Sequence, residues 1–253
     1  MASDGASPLA LQLHPLQINP ETKEVFLRLP APHENIIITP PRLNDAQMVV
    51  EYLNDPRIYT KLENPPYPYL PEHAEWWLNL VKKESDSLLK DLHDAGDNNQ
   101  APIFSKGCPV RSLREVKEDG SDLFIGDIGI DRAKRFSYLR DKESEAQKDK
   151  HNMSLPAGDP EIIWDIGDYL APSHHGKGIM SAALGTLLRE WAIPRMNANT
   201  VHGIAFKDNV ASVRVFEKNG FKMFDTVEDC VELSPSKGGG IAGLHFLEWR
   251  LEH

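Results

Sequence analysis

Two glycines flanking a lysine, just ahead of an apolar helix pattern, mark the stretch best suited to chemistry: Leu170-Ala-Pro-Ser-His-His-Gly-Lys-Gly-Ile-Met180. It joins a strand pattern directly to an amphipathic helix. Such a loop aims several backbone N–H groups at one spot, beside the positive end of a helix dipole. Gly176 and Gly178 lack a Cβ and let a ligand approach the backbone. His174, His175 and Lys177 add local positive charge. The chemistry implied is capture of a phosphate or pyrophosphate, set against a plain strand-to-helix connection whose glycines serve turn geometry. The better-known phosphate loops are absent: Gly176-Lys177 is followed by Gly178 and not by Ser or Thr, and no third spaced glycine follows Gly178. Adjacent loop histidines do not converge on one ion, so no metal is expected.

A second constellation is Lys207-Asp-Asn-Val-Ala-Ser-Val-Arg-Val-Phe-Glu-Lys-Asn-Gly-Phe221. Asn209 is a good N-cap. Gly220 suits the left-handed position past a helix end, with Phe221 folding back on Phe216. Ser212 has no such structural duty; it caps weakly or donates a hydrogen bond to something outside the helix. Two carboxylates lie on the strand pattern Glu161–Leu170. Asp165 and Asp168 are three positions apart, so a regular strand sends them to opposite faces. A bulge at the interior Gly167 would change that.

The elements that must position these groups follow from periodicity. Asn35–Thr39 is a β-branched strand stopped by Pro40 and Pro41. A helix follows, capped by Asn44 with Gln47 as capping-box partner, its stripe being Ala46, Val49, Val50 and Leu53. Pro71 opens a second helix, with Ala74, Trp77, Leu78 and Val81 on one face. Strands are expected at Ser112–Val116, Leu123–Ile130 and Glu161–Leu170. Helix Gly178–Trp191 is closed by Pro194. Strand Val201–Phe206, a helix from about Val210 to Asn219, and strands near Lys222–Thr226, Asp229–Leu233 and Leu244–Leu251 complete the order. The fold class is mixed α/β (α+β): one domain with a mostly antiparallel central sheet flanked by helices. Residues 1–34 form an N-terminal extension with partly ordered strands, and 35–253 the main domain. Insertions fall near 84–110, where 93–107 is rich in turn formers, and at 132–160, which carries the charge-dense run DKESEAQKDKHN.

Composition sets the outer bounds. The chain has 253 residues, 40% of them hydrophobic, with 28 Lys plus Arg against 38 Asp plus Glu and a net charge of −10. This balance excludes a protein that coats nucleic acid or anionic membrane with its whole surface and suits a cationic or neutral substrate. Cys108 and Cys230 make no disulfide framework and no CxxC zinc pair, which fits a reducing compartment, the cytoplasm first and the nucleus as the alternative. No run of about 18 apolar residues spans a membrane, and the N-terminal stretch lacks the basic region of a signal peptide.

Taken together, HHGKGIMSAAL before a helix, then a strand, then NVASVRVFEKNGF, resemble the GCN5-related N-acetyltransferase (GNAT) superfamily. The first matches that family's Arg/Gln-x-x-Gly-x-Gly/Ala element and the second its Asn-x-x-Ser/Tyr segment ending in Phe-Glu-Lys-x-Gly-Phe. PPRLNDAQMVVEYLNDPRI and PYPYLPEHAEWWL resemble the opening strand and helices of the RimJ/RimL-type branch, the ribosomal-protein-alanine acetyltransferases. The likeness covers roughly residues 35–251. Two positions depart from the pattern: His175 stands where Arg or Gln is usual, and Met180, where Gly or Ala is usual, narrows the space over a pyrophosphate. The central Gly178 is kept.

The resemblance implies a splayed sheet and an acetyl-CoA-dependent enzyme. It uses acetyl-CoA as co-substrate and moves the acetyl group to a primary amine by direct attack in a ternary complex. The acceptor is a protein N-terminus, a lysine or a small amine, with neither nucleic acid nor membrane as partner. The loop His175, Gly176, Lys177, Gly178, Ile179 and Met180 then cradles the pyrophosphate. Backbone groups at Asp168, Tyr169 and Leu170 bind the thioester arm, and Asn209, Ser212 and Phe216 complete the cofactor site. Asp165 or Asp168 is the base, with Asp165 preferred, and Ser212 assists the departing thiolate. Two contrasting readings are a catalytically silent acyl-CoA-binding module and a nucleotide-binding α/β protein.

Overall fold

The computed structural model describes residues 7–134 and 142–252. Nine strands form one sheet in the order β1-β2-β3-β4-β5-β6-β7-β9-β8. They are β1 (Gln17–Ile18), β2 (Val25–Arg28), β3 (Ile36–Thr39), β4 (Ser112–Val116), β5 (Asp122–Arg132), β6 (Ile163–Leu170), β7 (Thr200–Phe206), β8 (Lys222–Glu232) and β9 (Ile241–Arg250). Among the described strands β6 and β7 are the one parallel pair. The main helices are α1 (Pro8–Leu13), α2 (Ala46–Leu53), α3 (Pro56–Tyr59), α4 (Pro71–Asp97), α5 (Lys142–Ser154), α6 (Ile179–Thr186), α7 (Ile193–Met196) and α8 (Val210–Lys218). Helices α2 and α4 cover one face of the sheet, where Tyr52 donates its hydroxyl to the Phe124 carbonyl at 3.0 Å. Helices α6 and α8 cover the other, where Phe216 packs so tightly on Gly203 that a Cβ there would lie 2.4 Å from its ring.

The sequence pattern and the structure differ in four instructive places. Asn44 does not cap α2. A short 3₁₀ turn, Leu43–Asp45, precedes the helix, and Asp45 at the N-cap makes no capping bond because its carboxylate pairs with the buried Arg114. Helix α4 runs on through residues 93–97, since Leu92 and Ala95 extend its buried stripe past the turn-forming composition. The helix after Gly178 passes Pro194: a π-helical segment, Leu187–Ala192, re-phases the chain so that Pro194 falls within the first turn of α7, where no N–H is needed. Gly167 sits opposite Gly129 with no shift of register, so β6 carries no bulge. The irregularity lies one strand away, where Leu113 pairs with Gly126 but Arg114 with Phe124, leaving Ile125 as an extra residue in β5.

The N-terminal segment supplies α1, the edge strand β1 and its neighbour β2. From Lys142 on, the charge-dense run lies in helix α5, mostly exposed over 146–154; residues 135–141 of that insertion fall outside the described residues. It ends on a buried Asn152, whose amide donates to the carbonyls of Ala133 (3.1 Å) and Ile163 (2.8 Å) and accepts from the Ile163 N–H (2.9 Å). An exposed insertion therefore pins the start of β6. Among the described residues no helix is long and apolar enough to cross a membrane.

Candidate active site

Strands β6 and β7 pair only from Ile163 opposite Thr200 to Ile166 opposite Gly203. Beyond that vertex β6 stays with β5 as far as Leu170, and β7 stays with β9 as far as Phe206. Each strand keeps its outer partner, so the inner edges diverge and Gly167–Leu170 faces Ile204–Phe206 across a gap. A cleft of about 1880 Å³ occupies this gap and continues past the loop at Gly176 and Gly178 and the start of α8. Diverging strand edges offer backbone N–H and C=O groups to an extended ligand.

The loop after β6 is built by its backbone. Ala171 donates to the Ile125 carbonyl at 2.7 Å, and Pro172–His174 makes one 3₁₀ turn. Gly176 has φ +73° and Gly178, the N-cap of α6, has φ +82°. Side chains rarely adopt these angles, so both glycines answer a conformational demand. A Cβ on Gly178 would meet the His33 ring at 3.6 Å, while one on Gly176 would enter open space. Helix α6 has no side-chain cap, which leaves its first N–H groups open to an anion.

The charges expected here divide. His175 lines the cleft, with its Nε2 2.7 Å from the Leu170 carbonyl. His174 also borders the cleft but is buried, with Nδ1 2.9 Å from the Ser173 hydroxyl and Nε2 3.7 Å from the Glu115 carboxylate. Lys177 is exposed and outside the cleft lining. Ile179 and Met180 are buried and pack in the main core. Both also border the cleft at the start of α6, so Met180 joins the core to the wall beside the glycine loop.

At α8, Asn209 accepts from the Ser212 N–H at 3.2 Å. The helix ends with Phe221 N–H on the Phe216 carbonyl and Gly220 N–H on that of Glu217, the paired bonds of a Schellman ending. Phe216 and Phe221 have ring centroids 5.1 Å apart, and Phe216 belongs to the core. The half-buried Ser212 lines the cleft, and its hydroxyl has no hydrogen-bond partner among the described residues.

With β6 regular, its two carboxylates separate. Asp165 shares the α2/α4 face with Gly167 and Tyr169; Asp168 shares the α6/α8 face with the buried Trp164 and Ile166. Both acids line the cleft. Burial, and then the Asp127 carboxylate, push Asp168 up to about 6. The folded protein therefore holds this proton more tightly than the unfolded chain, and stability is lost as pH rises from about 4 to about 6. The shift of about two units corresponds to at most about 3 kcal/mol. Asp168→Asn should stabilise the protein at pH 8 and have no such effect below pH 4, as urea unfolding at the two pH values will show.

Four cleft residues on the α2/α4 face carry no sequence motif: Tyr69, Trp77, Arg111 and Asp127. Arg111 binds Asp127 through Nε and Nη2 at 2.9–3.1 Å, and its guanidinium lies 5.0 Å from the Trp77 ring. Burial raises the Asp127 carboxyl and Arg111 pulls it back, with burial the larger. The one signal for this wall is the proline-rich segment Pro65-Pro-Tyr-Pro-Tyr69, whose last residue is Tyr69.

The family model for the acetyltransferase (GNAT) domain matches residues 35–222, most of the chain. The chain belongs to the GNAT acetyltransferase family. Solved GNAT structures share the fold at low identity. A GNAT-family acetyltransferase from Bacillus anthracis is 16% identical, with a TM-score of 0.56 over 89% of this chain and 98% of that one. The microcin C7 self-immunity acetyltransferase MccE, solved with acetyl-CoA and AMP, is 12% identical with a TM-score of 0.54 (86% and 93% covered). RimL, a ribosomal L7/L12 alpha-N-protein acetyltransferase solved with coenzyme A, is 14% identical with a TM-score of 0.54 (89% and 98% covered). No curated protein matches the sequence significantly. The splayed β6–β7 pair of this GNAT domain thus sits in a fold shared with proteins solved with acetyl-CoA or coenzyme A.

Proposed function

We propose that this GNAT protein transfers the acetyl group of acetyl-CoA to a primary amine by direct attack in a ternary complex. The observation that carries the reading is the splay: the cleft passes between β6 and β7 and joins an anion-ready helix start to a wall of carboxylates and aromatics. The pantetheine arm lies in the gap against backbone groups at Asp168, Tyr169 and Leu170. The pyrophosphate takes the N–H groups of the loop from His175 to Met180, whose two left-handed glycines present them. Asn209 orders the start of α8 beside the arm.

The acceptor enters from the α2/α4 face. An alkyl ammonium has a pKa of about 10.4 and must lose a proton before it attacks. Asp165, on that face one residue before the strands part company, takes the proton directly or through water. The amine nitrogen forms its bond to the thioester carbon, the C–S bond breaks so that the sulfur leaves as thiolate, and the nitrogen gives up its second proton to water. Ser212, whose hydroxyl has no other partner among the described residues, donates a hydrogen bond to that sulfur.

The deciding experiment is release of CoA thiol from acetyl-CoA across an amine panel: a tetrapeptide with a free N-terminus, Nα-acetyl-lysine amide, spermidine and phenethylamine. Thiol release with an acetylated amine supports the reading. Tight acetyl-CoA binding with no release across the panel favours a silent binding module.

Ser212→Ala separates catalysis from capping. Asn209 is the residue that caps α8, so stability should change by well under about 1 kcal/mol. The single-turnover rate should fall roughly ten- to a hundredfold, about 1.4–2.7 kcal/mol in the transition state. The KM for acetyl-CoA should stay nearly constant, because the thioester needs that hydrogen bond less than the thiolate does. An unchanged single-turnover rate would remove Ser212 from the mechanism.

A further inference from the structure

On the α2/α4 wall of the cleft two phenols stand close to the Asp127–Arg111 pair. Tyr69 is 6% exposed and lines the cleft, and its hydroxyl has no hydrogen-bond partner among the described residues. Tyr169 lies directly across from Asp127 on the neighbouring strand, lines the same cleft, and its hydroxyl likewise has no partner among the described residues. Buried polar groups are almost always hydrogen-bonded. A buried phenol on a cleft wall, with no partner among the described residues, is open to a partner that arrives through the cleft.

The position of Tyr69 is strongly determined. Asn54, at the end of α2, accepts from the Tyr69 N–H at 2.9 Å through its Oδ1. Its Nδ2 donates to the Tyr69 carbonyl at 2.8 Å and to the Val50 carbonyl at 2.8 Å. One side chain thereby ties both backbone groups of Tyr69 to α2. The ring packs against His73 of α4, with centroids 5.4 Å apart. Tyr169 is fixed by β6 itself, in register with β5. The charged neighbours of this corner are Asp127 of β5, held by Arg111, and Asp45 at the N-cap of α2, held by Arg114. With its charge shared by Arg111, Asp127 is poorly placed to bind an ammonium alone. Neutral phenol oxygens beside it supply acceptor lone pairs at no cost in added charge.

We infer that Tyr69, seconded by Tyr169, is a catalytic residue that holds the acceptor's amino group: the phenol oxygen accepts an N–H bond and turns the nitrogen lone pair toward the thioester in the splay. Burial and Asp127 hold the Tyr69 phenol up at about 12, so it remains neutral and serves as orienter, never as base. This inference rests on the amine-acetylation reading above.

The test is Tyr69→Phe, which keeps the ring, its packing on His73 and the Asn54 clamp. With whichever of the four panel amines turns over fastest, kcat/KM for the amine should fall about ten- to fiftyfold. The Kd for acetyl-CoA and the pH at which the rate levels off should not move. A structural role alone would lower thermal stability without that selective loss. Titration of each panel amine into the protein saturated with CoA, followed by calorimetry, gives a readout that needs no turnover; binding should weaken by a similar factor in Tyr69→Phe. Wild-type kcat/KM and wild-type amine binding in the variant would overturn the inference. Acetyl-CoA binding by the wild type with neither turnover nor amine binding would overturn both readings, whereas turnover insensitive to Tyr69 overturns this one alone.

Discussion

Asp165→Asn will lower the single-turnover rate of amine acetylation by about 10²–10⁴-fold, the usual worth of a positioned proton acceptor, while the Kd for acetyl-CoA stays where it is. The amide keeps the shape of the carboxylate and cannot take a proton. Asp165 faces the side proposed for the amine, and at this level the strands are still paired, so a change of side chain leaves the gap between the strands intact. The rate in the wild type should rise with pH and level off once base and amine are both deprotonated. If Asp168→Asn carries the loss instead, the base lies on the opposite face of the sheet. In that case the wild type shows an acid limb near pH 6, where Asp168 titrates, and the variant lacks it. Rapid-quench measurement of acetylated product in both variants separates the two.

Gly178→Glu should weaken acetyl-CoA binding by more than about a hundredfold, equivalent to about 2.7 kcal/mol. Two causes act together. A side chain at φ +82° costs about 1–2 kcal/mol in backbone strain, and a carboxylate at the first turn of α6 competes for the N–H groups that the pyrophosphate needs. Gly178→Asn isolates the causes, since Asn tolerates the left-handed region and brings no charge. Its affinity for acetyl-CoA should lie within a few-fold of wild type. The readout is the thermal upshift produced by a fixed concentration of acetyl-CoA. A full upshift in folded Gly178→Glu would move the phosphate site away from this loop.

The proposed cofactor half of the site has local sequence signals. Gly176, Gly178, Asn209, Gly220 and Phe221 each do their work within a few residues of chain, through a φ angle, a cap or a turn, and such demands leave a spacing behind. The acceptor half is assembled across the sheet. Arg111 meets Asp127 from the neighbouring strand, Tyr69 is placed by Asn54 from the preceding helix, and Tyr169 stands opposite Asp127 only because β5 and β6 pair in that register. No short spacing encodes a cross-strand neighbour. The sequence also misled where a tertiary partner outbid a local one: Asp45 turns to Arg114 and leaves α2 without a side-chain cap. The regularity of β6 at Gly167 has the same lesson in reverse, since an interior glycine there simply opens the cleft wall and bends nothing.

The extra residue Ile125 in β5 works as a phase key. Strand side chains alternate with a period of two, so a single added residue exchanges inside for outside along everything that follows. Ahead of Ile125, Asp122 and Phe124 face α2; beyond it the odd-numbered Asp127, Gly129 and Asp131 take over that side, while Ile128 and Ile130 enter the core beneath α6. Remove that one residue and two isoleucines would line the cleft while two aspartates were driven into the hydrophobic layer. The polar character of the acceptor wall is thus written in a count of residues as much as in their identities. A relative lacking the added residue would need different amino acids at every one of these positions to present the same surface.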